Sequence, residues 1–159
     1  MNGIIGYEIL NHLKKKYYII AIDNEKNGIA SKVANEFLIS PLGSSKEFIN
    51  FIKKISKKVD LMFFYVDEEL VNISKNLKDK NILNKIVISP PKTIENCCNK
   101  LKFYNILNRN KIITPKLKNN APAFIKPIYG RGSKNCFFSN NSSIVKFFLN
   151  LKSYIIQQN

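Results

Sequence analysis

The sequence predicts an α/β protein: a parallel, doubly wound sheet lacking its first strand, followed by a small, partial α+β unit. Three observations carry this. From Tyr17 onward, short apolar runs alternate with amphipathic segments, the pattern of parallel strands covered by helices. After a polar linker at 116–120 the pattern changes to short strands around a glycine-rich turn. No apolar run precedes Gly3, where a doubly wound sheet has its first, central strand, so an unpaired slot is expected between its neighbours.

The elements follow in order. Asn2-Gly3-Ile4-Ile5-Gly6 opens an amphipathic helix. It reads either as the tail of a glycine-rich strand-to-helix turn, with Asp23 placed as a ribose-binding acid, or as an ordinary helix start. Strands are predicted at 17–23, 37–39, 61–66 and 85–89. Between them, 44–57 puts Phe48, Ile49, Ile52 and Ile55 on one helical face and Lys53, Lys54 and Lys57 largely on the other, a solvated side. Asp67, followed by Glu68 and Glu69, is placed to cap the next helix, where negative charge is favoured. Pro90 and Pro91 break the pattern before helices at 93–98 and 100–108. Then come strands at 123–126 and 135–139, a helix at 143–151 and a strand at 154–157. The expected domains are 1–112 and 113–159, the second too small to be self-sufficient.

A chain of 159 residues with 45% hydrophobic content can bury one sizeable core. It has neither the roughly 20 apolar residues of a membrane span nor a signal-peptide pattern, so a soluble cytoplasmic protein is expected, with no membrane partner. Cys97, Cys98 and Cys136 lack the spacing of a disulfide framework or a metal site, and His12 is the single histidine. The net charge of +15 first suggests nucleic acid. However, all the basic residues except Arg109 and Arg131 are lysine, and the chain is equally rich in Asn and Ile, whose codons share AT-richness with those of Lys. The charge therefore reads as genome composition, and nucleic acid is not the expected partner.

The segment with most chemistry is Phe124-Ile125-Lys126-Pro127-Ile128-Tyr129-Gly130-Arg131-Gly132-Ser133-Lys134. An apolar strand delivers Lys126 at its end, and the loop then offers two glycines, a hydroxyl and two cations. Glycines let backbone N–H groups approach phosphate oxygens, and Arg131, Ser133 and Lys134 can add donors. The same residues also suit a β-hairpin whose glycines only satisfy the turn. A Walker-type loop is absent.

In order, Ser89-Pro90-Pro91 and a helix through Asn99-Lys100, then Ile113-Thr114-Pro115, Ile125-Lys126-Pro127 and the Gly-Arg-Gly-Ser-Lys loop resemble the ATP-grasp superfamily. Within it, the likeness is to members like the carbamoyl-phosphate synthase large subunit. The resemblance implies a pre-ATP-grasp, Rossmann-like domain followed by the first ATP-grasp subdomain. It implies ATP contacts at Lys100 and Lys126, a phosphate loop at Gly130, Arg131, Gly132, Ser133 and Lys134, and an adenine-side contact at Gln158. Three positions depart from the pattern: Asn99 stands for an acid, Asn135 for a glycine, and Gln158 for a glutamate, whose amide can still accept from adenine.

The resemblance also implies a carboxylate ligase acting through an acylphosphate, with Mg²⁺ held by residues beyond the hinge. The last acidic residue is Glu95, so the catalytic half is expected to be missing and no catalytic residue is assigned. The expected protein partner is a second chain supplying that half, or another copy in a homo-oligomer. The alternatives are a non-catalytic nucleotide-binding or interaction remnant, and a basic nucleic-acid-binding α/β protein.

Overall fold

The computed structural model describes residues 4–158. The chain divides into two compact units after Ser89, residues 1–89 and 90–159. The division therefore falls earlier than the 112–113 boundary expected from composition. The reason is local: Asn99 and Lys100, at the junction of the 91–98 and 100–109 helices, are hydrogen-bonded to residues 128–130 of the second unit.

The first unit runs α1 (Ile4–Leu13), β1 (Ile20–Asp23), α2 (Ala30–Val33), β2 (Glu36–Ile39), α3 (Glu47–Ile55), β3 (Met62–Phe63), α4 (Asp67–Asn76), α5 (Lys80–Leu83) and β4 (Ile86–Val87). All its strand pairs are parallel, as expected, but they form two ladders rather than one sheet: β1 with β2 and β3 with β4. Asn2 and Gly3 lie outside the described residues.

Each ladder has its own core. Leu10, Ala21 and Ala30 pack under Ile19, Val33 and Phe37. The larger cluster sets Phe48, Ile49 and Ile52 of α3 against Met62, Ile73, Leu77 and Ile86, the apolar face read from the helical spacing. The apolar run at 61–66 forms only a two-residue ladder. Its alternate residues Leu61, Phe63 and Tyr65 are exposed, with the Phe63 and Tyr65 rings stacked at 6.4 Å. Helices thus cover one face of this pair.

Asp67 does not cap α4. It lies in the first turn, and the N-cap is Val66, without a side-chain cap. Its charge still favours that helix end. The loop after β2 is tied to α4 by buried Asn72, whose Nδ2 donates to the carbonyls of Gly43 (2.7 Å) and Ser45 (2.8 Å). A Cβ at Gly43 would sit 2.4 Å from Cγ and 3.2 Å from the backbone nitrogen of Glu69. Gly43→Ala is therefore expected to destabilise the first unit by about 1–3 kcal/mol, read as a lowered midpoint in chemical denaturation.

The second unit comprises α6 (Pro91–Cys98), α7 (Lys100–Arg109), β5 (Ala123–Pro127), β6 (Phe137–Ser139), α8 (Ser142–Asn150) and β7 (Tyr154–Gln157). Asparagines start two of its helices: Asn99 accepts from Lys102 N–H, and Asn141 from those of Ser143 and Ile144. The sheet is antiparallel in the order β6-β5-β7, and Ala123, Ile125, Val145 and Ile156 form its core with Phe137, Phe148 and Tyr154 around them. Residues 116–118 are not a loose linker. They run along β7, with Lys118 N–H on Ile156 O (3.0 Å) and Gln158 N–H on Lys116 O (2.8 Å). Among the described residues no helix is long and apolar enough to cross a membrane.

Candidate nucleotide site

Strand β5 sorts its residues by the period-two pleat. Ala123 and Ile125 are fully buried under α8, whereas Lys126 and Phe124 take the opposite face. The half-burial of Lys126 lowers its pKa from the usual lysine range, and the nearby Lys100 ammonium lowers it further, against a smaller opposing effect of Cys136. An anion placed here would offset both causes.

The connection from β5 to β6 spans residues 128–136, longer than the roughly two to five residues a hairpin turn needs. Within it Gly130 (φ 131°), Gly132 (61°), Ser133 (55°) and Asn135 (58°) all have positive φ. The glycines are needed for this backbone rather than for space, because a Cβ on either would meet nothing within 4 Å. Asn135 adopts a left-handed conformation that a glycine would take freely and that asparagine tolerates better than most residues. Arg131, Gly132, Ser133 and Lys134 are exposed, and the loop's own bonds are long: Lys134 N–H to Arg131 O at 3.4 Å and Cys136 N–H to Ser133 O at 3.2 Å.

Lys100 comes to the loop from α7. Its Nζ donates to Gly130 O at 2.6 Å and its backbone N–H to Ile128 O at 3.0 Å. The structure thus brings together Lys100, Lys126 and Gly130, three of the residues expected to face a nucleotide. Gln158 lies just past β7 and is exposed, held through its backbone. Its neighbour Gln157 was not singled out by sequence. It pairs opposite Phe124 and therefore shares the face of Lys126, and its buried amide donates to Pro115 O at 3.1 Å. Strand alternation alone would have favoured Gln157 over Gln158 once the ends of β7 were fixed.

Asn99, a departure from the family pattern, also has a defined place. It is buried, caps α7 through Oδ1, and donates from Nδ2 to Tyr129 Oη at 2.8 Å. Among the described residues no three His, Cys, Asp or Glu side chains group as a metal site. The donor set of this unit fits phosphate oxygens: cations, glycine backbone and a serine hydroxyl.

No protein-family profile matches the chain. Over 147 residues it is 29% identical to the bifunctional polymyxin resistance protein ArnA of Wigglesworthia glossinidia brevipalpis, covering 91% of this chain and 20% of that protein. Among solved structures it is similar to N5-carboxyaminoimidazole ribonucleotide synthetase from Thermotoga maritima (TM-score 0.62, 20% identity, 99% of this chain and 44% of that one). It is similar also to the Staphylococcus aureus N5-carboxyaminoimidazole synthetase complexed with ADP (TM-score 0.67, 14% identity, 99% and 44%). The L-amino acid ligase of Bacillus licheniformis gives TM-score 0.65 at 16% identity, 92% and 39%. The chain spans about a fifth of the curated relative and about two-fifths of these structures. Its fold is that of the N-terminal portion of ATP-grasp enzymes.

Proposed function

We propose that this chain binds ATP as the N-terminal part of an ATP-grasp ligase joining a carboxylate to an amine or thiol. The observation that carries the reading is the convergence of Lys126 from β5 and Lys100 from α7 at the root of a glycine loop. Lys126 supplies fixed positive charge on the sheet face, the loop at 130–134 supplies backbone and side-chain donors to the terminal phosphates, and Lys100 ties the two regions together. The likeness to carbamoyl-phosphate synthase rests on the order Thr114-Pro115, Lys126-Pro127 and Gly130 to Lys134 in the sequence.

In such a ligase a carboxylate oxygen attacks the γ-phosphorus of ATP and ADP leaves. The acylphosphate is then attacked at its carbonyl carbon by the amine or thiol, and phosphate departs. When bound, Mg²⁺ would supply positive charge to offset the charge developing on the phosphates. The resemblance assigns the Glu and Asn residues that would hold it to the part of the fold that this stretch does not cover. The acyl transfer is accordingly assigned to the chain together with the rest of an ATP-grasp fold, in the same polypeptide or from a partner.

Calorimetric titration with a non-hydrolysable ATP analogue tests the reading. Saturable binding that Lys100→Met weakens severalfold is the expected result. Absence of nucleotide binding, together with DNA affinity that falls steeply with salt, would instead identify the chain as a nucleic-acid binder.

A further inference from the structure

We propose that Asn99 is a positioning residue for the glycine loop, acting through Tyr129. The inference deepens the nucleotide reading and rests on it for its functional consequence, but its structural content stands on hydrogen bonds alone. Asn99 Oδ1 accepts the Lys102 N–H at 2.9 Å. That cap fixes which end of the amide is oxygen, so Nδ2 is the end that faces Tyr129 and donates to its hydroxyl at 2.8 Å.

The same helix junction holds the two residues on either side of Tyr129: Lys100 N–H binds Ile128 O, and Lys100 Nζ binds Gly130 O. Three consecutive residues at the loop's root are thus tied to Asn99 and Lys100. Beyond Gly130, the Lys134 N–H reaches Arg131 O at 3.4 Å and the Cys136 N–H reaches Ser133 O at 3.2 Å.

The three ties are not equivalent once a phosphate is present. The Lys100 ammonium is then shared between Gly130 O and the ligand. The Asn99–Tyr129 bond is the side-chain tie that involves no phosphate-binding group. Tyr129 is 56% exposed, so core packing does little to hold its ring, and the hydrogen bond to buried Asn99 sets its position. Loss of the phenolic oxygen should loosen the root without disturbing the core.

The chain has six glycines, so ¹⁵N-glycine labelling gives a spectrum in which the Gly130 and Gly132 amides can be followed by relaxation in the full chain without nucleotide. Tyr129→Phe should lower the order of both amides, leave the melting midpoint unchanged, and weaken affinity for the ATP analogue about two- to tenfold. Asn99→Ala should loosen the loop equally, with no further change in the double variant. Asn99→Asp should restore it, because a carboxylate both caps α7 and accepts from the tyrosine hydroxyl. Unchanged Gly130 and Gly132 order in Tyr129→Phe, or additive effects in the double variant, would overturn the proposal. If the unsubstituted chain binds no nucleotide, the functional reading fails, while the glycine relaxation still decides the positioning role. Should Asn99→Ala not fold, Tyr129→Phe decides it alone.

Discussion

Lys126→Ala is expected to weaken binding of an ATP analogue about ten- to a hundredfold, the usual loss for one charged hydrogen bond to phosphate. The fold should be unharmed, and the sign of the linkage says why. The lysine's pKa is lowered by burial and by Lys100, so across the window between its folded and unfolded values the unfolded chain binds more protons. Stability therefore rises with pH through that window, and below it the charged amine is a small burden on the native state. Removing it should leave the melting midpoint unchanged or slightly higher at neutral pH. The ligand sees the opposite dependence. Nucleotide binding draws a proton onto Lys126, and affinity should fall at a lower alkaline pH than for an ordinary lysine. Calorimetry in buffers of different ionisation enthalpy would detect that uptake. Affinity unaltered by Lys126→Ala would remove the mechanism.

The neighbouring substitution Ile125→Ala should act in the reverse manner. Ile125 has no exposed surface and lies in the central strand against Ile156, with Val145 in the same cluster. Truncation should cost about 2–5 kcal/mol, the transfer of the lost methyl and methylene groups plus the cavity left between sheet and α8. Hydrogen exchange of the β5–β7 ladder amides is the direct measurement, and faster exchange there is the expected outcome. Two adjacent residues on opposite faces of one strand would thus separate binding from stability.

The contrast between them was readable in advance, because the alternation of β5 and the apolar face of α3 depend on local spacing. Strand β7 was likewise located at its observed ends, 154–157. What escaped the sequence is set by partners distant along the chain. The run at 61–66 is apolar throughout, yet only Met62 and Phe63 find ladder partners, at Ile86 and Val87. Residues 116–118 look like a polar linker because their partner on β7 lies about forty positions later. Asn99 is recognisable as a helix cap from its place before α7, but its bond to Tyr129 spans 30 residues and has no local signature. The family order of Lys100, Lys126 and the glycine loop was legible. The bonds that tie Asn99 and Lys100 to residues 128–130 were not.

The division after Ser89 has a practical consequence for anyone isolating the glycine loop. A fragment cut where composition changes, at 113, would keep all of β5, β6, α8 and β7 but discard Asn99 and Lys100. A fragment beginning at Pro90 would carry the junction along with the loop. Of two peptides that differ only in whether α6 and α7 are included, the shorter one should display a glycine loop anchored only by its own two strands. It would be a poor stand-in for the site in ligand screening.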